Sequence, residues 1–201
     1  MGAYGDPMTH APALLVIDMQ NALAEIAHRA PETIAVIAGL RARARAAGVP
    51  VVTVQHHGPA GGELAPGSDG WRIVPELAPE DGESVIAKTS ADGFLDTELD
   101  AALAALGVTE LLVTGFATEI CVDTTARQAL SRRYDLVLVA DGHTTSVRGA
   151  DGPYAEPDRS VAHHNEIFRH LDFPGRSIRV LPAAEVDFGA PVPASAPAGA
   201  R

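Results

Sequence analysis

The stretch Leu111-Leu112-Val113-Thr114-Gly115-Phe116-Ala117-Thr118-Glu119-Ile120-Cys121-Val122 runs directly into Asp123-Thr124-Thr125-Ala126-Arg127-Gln128-Ala129-Leu130. The first part is a short apolar run ending at a glycine, the pattern of a buried strand, and the second part has helical spacing. A strand that feeds a helix is half of a βα unit. Cys121, the only cysteine in the chain, sits at the junction. A thiol near a helix N-terminus meets the positive end of the macrodipole, which favours thiolate. Strand carboxyl ends are also where open parallel sheets hold their ligands. The plainer reading of a lone cysteine is a small buried hydrophobe, so its neighbours must decide.

The same alternation extends in both directions. Ala13 to Asp18 reads as a buried strand, and Pro31 to Ala47 as a helix, with Ile34, Ile37, Leu40 and Ala44 at helical spacing and Gly48 as its stop. Pro50 to Gln55 is β-branched and reads as a second strand. A long loop rich in Gly and Pro follows, from His57 to Gly70, of the kind that often carries function. Glu83 to Lys88 is a third strand, Asp96 to Leu106 a helix, Thr109 to Thr114 a fourth strand and Thr118 to Arg132 a helix. Asp135 to Ala140, a helix over Asp158 to Leu171 and a last strand over Ser177 to Leu181 complete the series. Repeated βα units with apolar strands predict a three-layer α/β/α fold, a mostly parallel six-stranded sheet with helices on both faces.

Composition narrows the function classes. The 201 residues suit one domain, with 46% hydrophobic and 20% charged residues. A net charge of −11 without a basic stripe argues against nucleic acid as a partner. No apolar run is long enough to cross a bilayer, so no membrane partner is expected. Residues 1–7 carry neither a basic nor an apolar signal region. A single cysteine excludes an intrachain disulfide framework, and a reducing, cytoplasmic location is expected.

Three polar residues fall at strand ends: Asp18 on the first strand, Lys88 on the third, and Cys121 just past Gly115 on the fourth. A parallel sheet gathers these ends along one edge. There a carboxylate could take the thiol proton, an ammonium could stabilise the thiolate, and the sulfur could attack an electrophilic carbon. Taken singly, Asp18 could be a cap and Lys88 a solvated strand end; the combination is harder to ascribe to chance.

These residues carry a family resemblance. Leu14-Leu15-Val16-Ile17-Asp18-Met19-Gln20-Asn21, then Ala87-Lys88 with Phe94 and Thr97, then Thr114-Gly115-Phe116-Ala117-Thr118-Glu119-Ile120-Cys121-Val122 with Thr125-Ala126-Arg127 and Ala129, resemble the isochorismatase-like superfamily of cysteine hydrolases. The resemblance covers roughly residues 12 to 182. It divides the chain into an N-terminal segment (1–11), an isochorismatase-like domain (12–182) and an Ala/Pro-rich tail (183–201). It implies Asp18 as general base, Lys88 as the second member of a triad and Cys121 as nucleophile. It also implies a cis peptide at Phe116–Ala117, and an oxyanion hole built from the Ala117 and Cys121 amides. The implied reaction is hydrolysis of an amide, lactam or ureido C–N bond through an acyl-enzyme. True isochorismatases lack the nucleophilic cysteine, so Cys121 argues against that branch.

Nicotinamidases of this superfamily hold a divalent metal through an Asp-x-His after the second strand and a further histidine. Here the stretch is Val54-Gln55-His56-His57-Gly58, with Gln55 at the aspartate position and no histidine between His57 and His143. Gln is a poor replacement for a carboxylate ligand, so no metal and no other cofactor is expected. His56 and His57 either line the pocket or merely end a strand. Gln20, Trp71, Phe94 and Glu119 complete the pocket candidates, each with an ordinary core or surface role as the alternative. The run from Gly58 through Trp71 resembles a metal-free subgroup that includes streptothricin hydrolases. The expected ligand is a small molecule, and the resemblance implies a homo-oligomer, dimer or tetramer. A metal-dependent nicotinamidase-like amidase and a non-catalytic binding protein on the same fold are the alternatives.

Overall fold

The computed structural model describes residues 10–147 and 153–189. Six strands form one sheet: β1 (Pro12–Ile17), β2 (Val51–His56), β3 (Ser84–Lys88), β4 (Glu110–Phe116), β5 (Asp135–Thr144) and β6 (Ile178–Leu181). Their order is β3-β2-β1-β4-β5-β6, and every pairing is parallel. The chain steps outward from β1 to β3, then returns to the other side of β1 and steps out to β6. The reversal between β1 and β4 opens a crevice at their carboxyl ends, where such sheets bind ligands.

The strands are apolar throughout because both faces are covered. Ala13, Leu15 and Ile17 of β1 face one core, while Leu14 and Val16 face the other. The first core is closed by α3 (Leu99–Ala105), α4 (Asp123–Ser131) and α5 (Pro157–His170), through Leu99, Leu103, Ala126, Ala129, Leu130 and Phe168. The second is closed mainly by α2 (Ala30–Ala46), through Ile37, Leu40 and Ala44. Each fully buried Leu or Ile contributes about 1.5–3 kcal/mol, and these two layers anchor the crevice between them. Helix α2 ends as its sequence predicts, with Gly48 at φ 71°.

Three differences from the sequence reading matter. A short helix α1 (Asn21–Ile26) follows the first strand directly. β5 runs to Thr144 rather than Ala140, because its register against β4 slips between Val113 and Gly115, so that Gly115 pairs with His143. The core also continues past residue 182. A 3₁₀ turn, Ala183–Glu185, leads to Val186, which is 4% exposed and packs in the α2 core, with the Arg43 guanidinium donating to the Ala183 and Val186 carbonyls. Residues 1–9 and 190–201, within the expected terminal segments, lie outside the described residues. Among the described residues no helix is long and apolar enough to cross a membrane.

Candidate active site

Glycine at position 115 permits the approach of β4 to β1 on which the site depends. A Cβ there would lie 2.1 Å from the Ile17 carbonyl oxygen, and the residue adopts φ 120°, a region closed to other residues. One residue beyond Ile17, Asp18 takes φ 53°, a left-handed conformation that aspartate tolerates better than most residues. Its amide donates to Val54 O at 2.9 Å. The side chain is thereby turned out of the strand into the crevice, with the residue 2% exposed.

Lys88, the last residue of β3, reaches the same place. Its Nζ lies 2.6 Å from Asp18 Oδ2, and both side chains are buried. The ammonium also donates to Ser90 O at 2.9 Å and lies 3.4 Å from Cys121 Sγ and 3.4 Å from His56 Nδ1. The structure therefore brings the three strand-end residues into one cluster. The segment after Lys88 is tied to the helix behind Cys121, because Gly93 N donates to Thr125 Oγ1 at 3.0 Å. A Cβ at Gly93 would come within 2.9 Å of Thr125 Cγ2.

Cys121 stands on a π-helical turn, Thr118–Val122, that leads into α4; such turns recur at functional sites. The amides of Ile120 and Val122, on either side of it, both donate to Ala117 O. The Phe116–Ala117 peptide is cis, at the bond the resemblance indicated. The pull of the helix N-terminus toward thiolate is outweighed here. Burial first, and the Asp18 carboxylate second, push the thiol from an ordinary 9.0 up to about 12, against the opposing pull of Lys88. That rise corresponds to about 4 kcal/mol, whereas a helix N-terminus supplies only about 0.3–1 kcal/mol, so the resting sulfur carries its proton.

Asp18 is the complementary group. Burial raises its proton affinity by more than the Lys88 ion pair lowers it. Oδ1 accepts no bond of normal geometry among the described residues. The Cys121 thiol interacts with the same carboxylate, a contact short of ideal geometry that still shifts both groups. A protonated thiol thus stands beside a carboxylate with enhanced basicity and a fixed ammonium.

The pocket candidates divide. His56 belongs to the cluster, with its imidazole kept neutral by burial and by the adjacent ammonium. His57 donates its amide to Lys88 O and sets its ring edgewise against Trp71, 5.5 Å between centroids. Trp71 is half-buried, and its carbonyl accepts from both Gln20 Nε2 and Gln55 Nε2. Gln20 is no pocket residue. It is wholly buried, and its amide brackets the His56 backbone by accepting from His56 N and donating to His56 O. Phe94 is also corrected: it lies in the core, 5% exposed, stacked on Tyr134 beneath the Arg132 guanidinium. Glu119 accepts from Thr145 Oγ1 at 2.7 Å and lines a surface cleft with Tyr154, Arg159, Ser160 and His163, which none of Asp18, Lys88 and Cys121 lines.

Sequence reasoning missed His143. It is 2% exposed, bonded through Nδ1 to Thr118 Oγ1 at 2.8 Å and through Nε2 to Asn165 Oδ1 at 2.9 Å. It joins β5, the Cys121 turn and α5, and only the β5 slip brings it there.

The donor set does not fit the nicotinamidase metal pattern. Gln55 stands where the carboxylate would be and spends its amide on Trp71 O. Among the described residues no group of three His, Cys, Asp or Glu side chains could hold a metal ion.

Comparison with known proteins agrees with the fold. Residues 12–151 match the Isochorismatase domain family. A streptothricin hydrolase from Streptomyces noursei is 40% identical over 190 residues, 92% of this chain and 67% of the relative. A second streptothricin hydrolase of that species matches at 43% over 136 residues, and the chain spans only 54% of it. A ureidoacrylate amidohydrolase from Methylobacterium radiotolerans is 34% identical over 182 residues, 69% of this chain and 70% of the relative. Among solved structures, an isochorismatase from Pseudomonas putida superposes with a TM-score of 0.78 at 27% identity, covering 92% of this chain and 94% of the other. With its parallel six-stranded sheet and this match across most of its length, the chain belongs to the isochorismatase family.

Proposed function

We propose that this protein is a metal-independent cysteine hydrolase that cleaves an amide, lactam or ureido C–N bond in a small molecule. The observation that carries the reading is the buried cluster of Asp18, Lys88 and Cys121, with the ammonium 2.6 Å from the carboxylate and 3.4 Å from the sulfur. The names of the relatives support the bond class: one acts on streptothricin and another on ureidoacrylate.

The chemistry follows from the proton's resting place. As Sγ of Cys121 attacks the carbonyl carbon, its proton moves to Asp18, whose burial makes it a better base. The Lys88 ammonium offsets the negative charge that passes to sulfur. The amides of Ala117 and Cys121 receive the carbonyl oxygen as it becomes an oxyanion, an interaction whose loss costs about 10²–10³ in rate. The C–N bond then breaks, and the leaving nitrogen takes the proton from Asp18. Water gives a proton to Asp18 and attacks the thioester; the C–S bond breaks, the acid leaves, and the sulfur regains its proton. His57, tied to Lys88 O through its amide, and Trp71, against whose ring it packs edgewise, are the residues this reading assigns to orienting the substrate.

The test is hydrolysis of a panel of lactams, ureides and primary amides, before and after dialysis against a chelator, with Cys121→Ala alongside. The reading expects turnover that survives chelation and is lost in Cys121→Ala. Turnover abolished by chelation and restored by zinc or iron would transfer it to the metal-dependent branch. The same reading includes a cytoplasmic homo-oligomer, dimer or tetramer, which light scattering on the purified chain checks.

A further inference from the structure

The Lys88 ammonium has three N–H bonds and four acceptors within reach. Two are short and fixed: Asp18 Oδ2 at 2.6 Å and Ser90 O at 2.9 Å. The other two, His56 Nδ1 and Cys121 Sγ, lie at the same longer distance of 3.4 Å. One N–H therefore faces two competing acceptors. An ammonium can only donate, so Nδ1 must be the bare nitrogen of the ring, and the imidazole hydrogen sits on Nε2.

We propose that His56 is a positioning residue that holds the third Lys88 N–H while Cys121 is a thiol and yields it to sulfur as the thiolate forms. A protonated thiol is a weak acceptor, and an imidazole nitrogen is a better one. Once the sulfur turns negative the preference reverses, because a buried ammonium and thiolate attract as opposite full charges whereas the imidazole is neutral. The ammonium thus keeps all three donors satisfied in a buried site at rest, yet has one free to move at the moment of reaction. The groups facing the imidazole are Lys88, Asp18 and His57.

The main chain is built to hold His56 in that position. It is the terminal residue of β2, in register with Lys88 at the end of β3. The side-chain amide of Gln20 grips both its N–H, at 2.9 Å, and its carbonyl, at 3.0 Å. Gln20 is wholly buried and stands two residues after Asp18. Asp18, Gln20, His56 and Lys88 thus form a closed circuit in which displacement of the ring would disturb the ammonium.

The inference rests on Cys121 being the reacting thiol, and its test reads the sulfur directly rather than turnover. The rate of Cys121 alkylation by iodoacetamide is measured against pH for the native chain, His56→Phe and His56→Asn, with circular dichroism verifying the fold. Phenylalanine keeps the site filled but removes the acceptor; asparagine offers an oxygen close to the place of Nδ1. The expected result is an alkylation profile displaced to lower pH in His56→Phe, with a rate about tenfold higher at pH 8. His56→Asn should follow the native profile. Coincident profiles for all three proteins, equal displacement of both variants, or displacement in His56→Asn alone would overturn the inference. A thiol that is inert at every pH in the native chain would instead sink the nucleophile reading itself.

Discussion

Lys88 Nζ and Asp18 Oδ2 are 2.6 Å apart with both side chains shut off from solvent. Breaking such a pair by removing one member leaves the other charge buried alone, at a cost of about 3–5 kcal/mol. Lys88→Met should therefore lose stability on that scale in urea unfolding. The double variant Lys88→Met/Asp18→Asn should recover much of the loss, since neither charge then remains. A double variant as unstable as the sum of the singles would show that the two groups are not coupled.

Asp18→Asn separates basicity from electrostatics. The Asp18 carboxylate is one of the groups holding the thiol near 12. Removing its charge lowers the thiol's proton affinity, so Cys121 should be alkylated faster at pH 8 than in the native chain. Hydrolysis should nevertheless fall by about 10²–10⁴, because no group is left to carry the proton. Slower alkylation in this variant would mean that the carboxylate does not oppose the thiolate.

His143 makes stability depend on pH. Burial drops its pKa from 6.5 to about 4, so between those values the unfolded chain binds a proton that the folded chain does not. Its contribution is complete above about pH 6.5 and is lost as pH falls toward 4, amounting to about 3 kcal/mol. Its neutral form also has a required tautomer: Asn165 Nδ2 donates to Ala140 O, leaving Asn165 Oδ1 to accept from Nε2–H while Nδ1 accepts from Thr118. Urea titrations at pH 7.5 and 4.5 should show this loss in the native chain and a smaller one in His143→Gln.

Gly115→Ala tests the close approach of β1 and β4. Its Cβ would fall 2.1 Å from Ile17 O, backbone that cannot swing aside. A loss of at least about 3 kcal/mol is expected in thermal or urea unfolding. A variant of native stability would show that β4 can retreat.

Gln20→Ala should loosen the loop rather than abolish the site. It strips partners from His56 N and His56 O, and one of two from Trp71 O. A loss of about 1–3 kcal/mol is expected. The fluorescence of Trp71, the only tryptophan, should shift to the red as the indole gains water.

The cluster of Asp18, Lys88 and Cys121 was legible because its positions follow from where strands end. Asp18 and Lys88 lie where an apolar run stops and Cys121 on the turn that follows one, and a parallel sheet brings those ends to one edge whatever the other loops do. Gln20 and Phe94 were misplaced because proximity in sequence does not give direction. The left-handed turn at Asp18 sends Gln20 inward, and the contact of Gly93 with Thr125 folds Phe94 under α4. His143 was invisible because the β5 slip that places it leaves no periodic signature. Helix position at Cys121 can be read from sequence, whereas the depth of burial that outweighs its effect on the thiol cannot.

The proposed chemistry turns on acylation of Cys121. The direct measurement is peptide mass spectrometry after brief exposure to p-nitrophenyl acetate, an acyl donor that requires no knowledge of the natural substrate. One acetyl group per chain is expected on the peptide containing Cys121, formed together with a burst of nitrophenolate, and neither signal in Cys121→Ala. Acetylation elsewhere, or a burst that persists in Cys121→Ala, would contradict it.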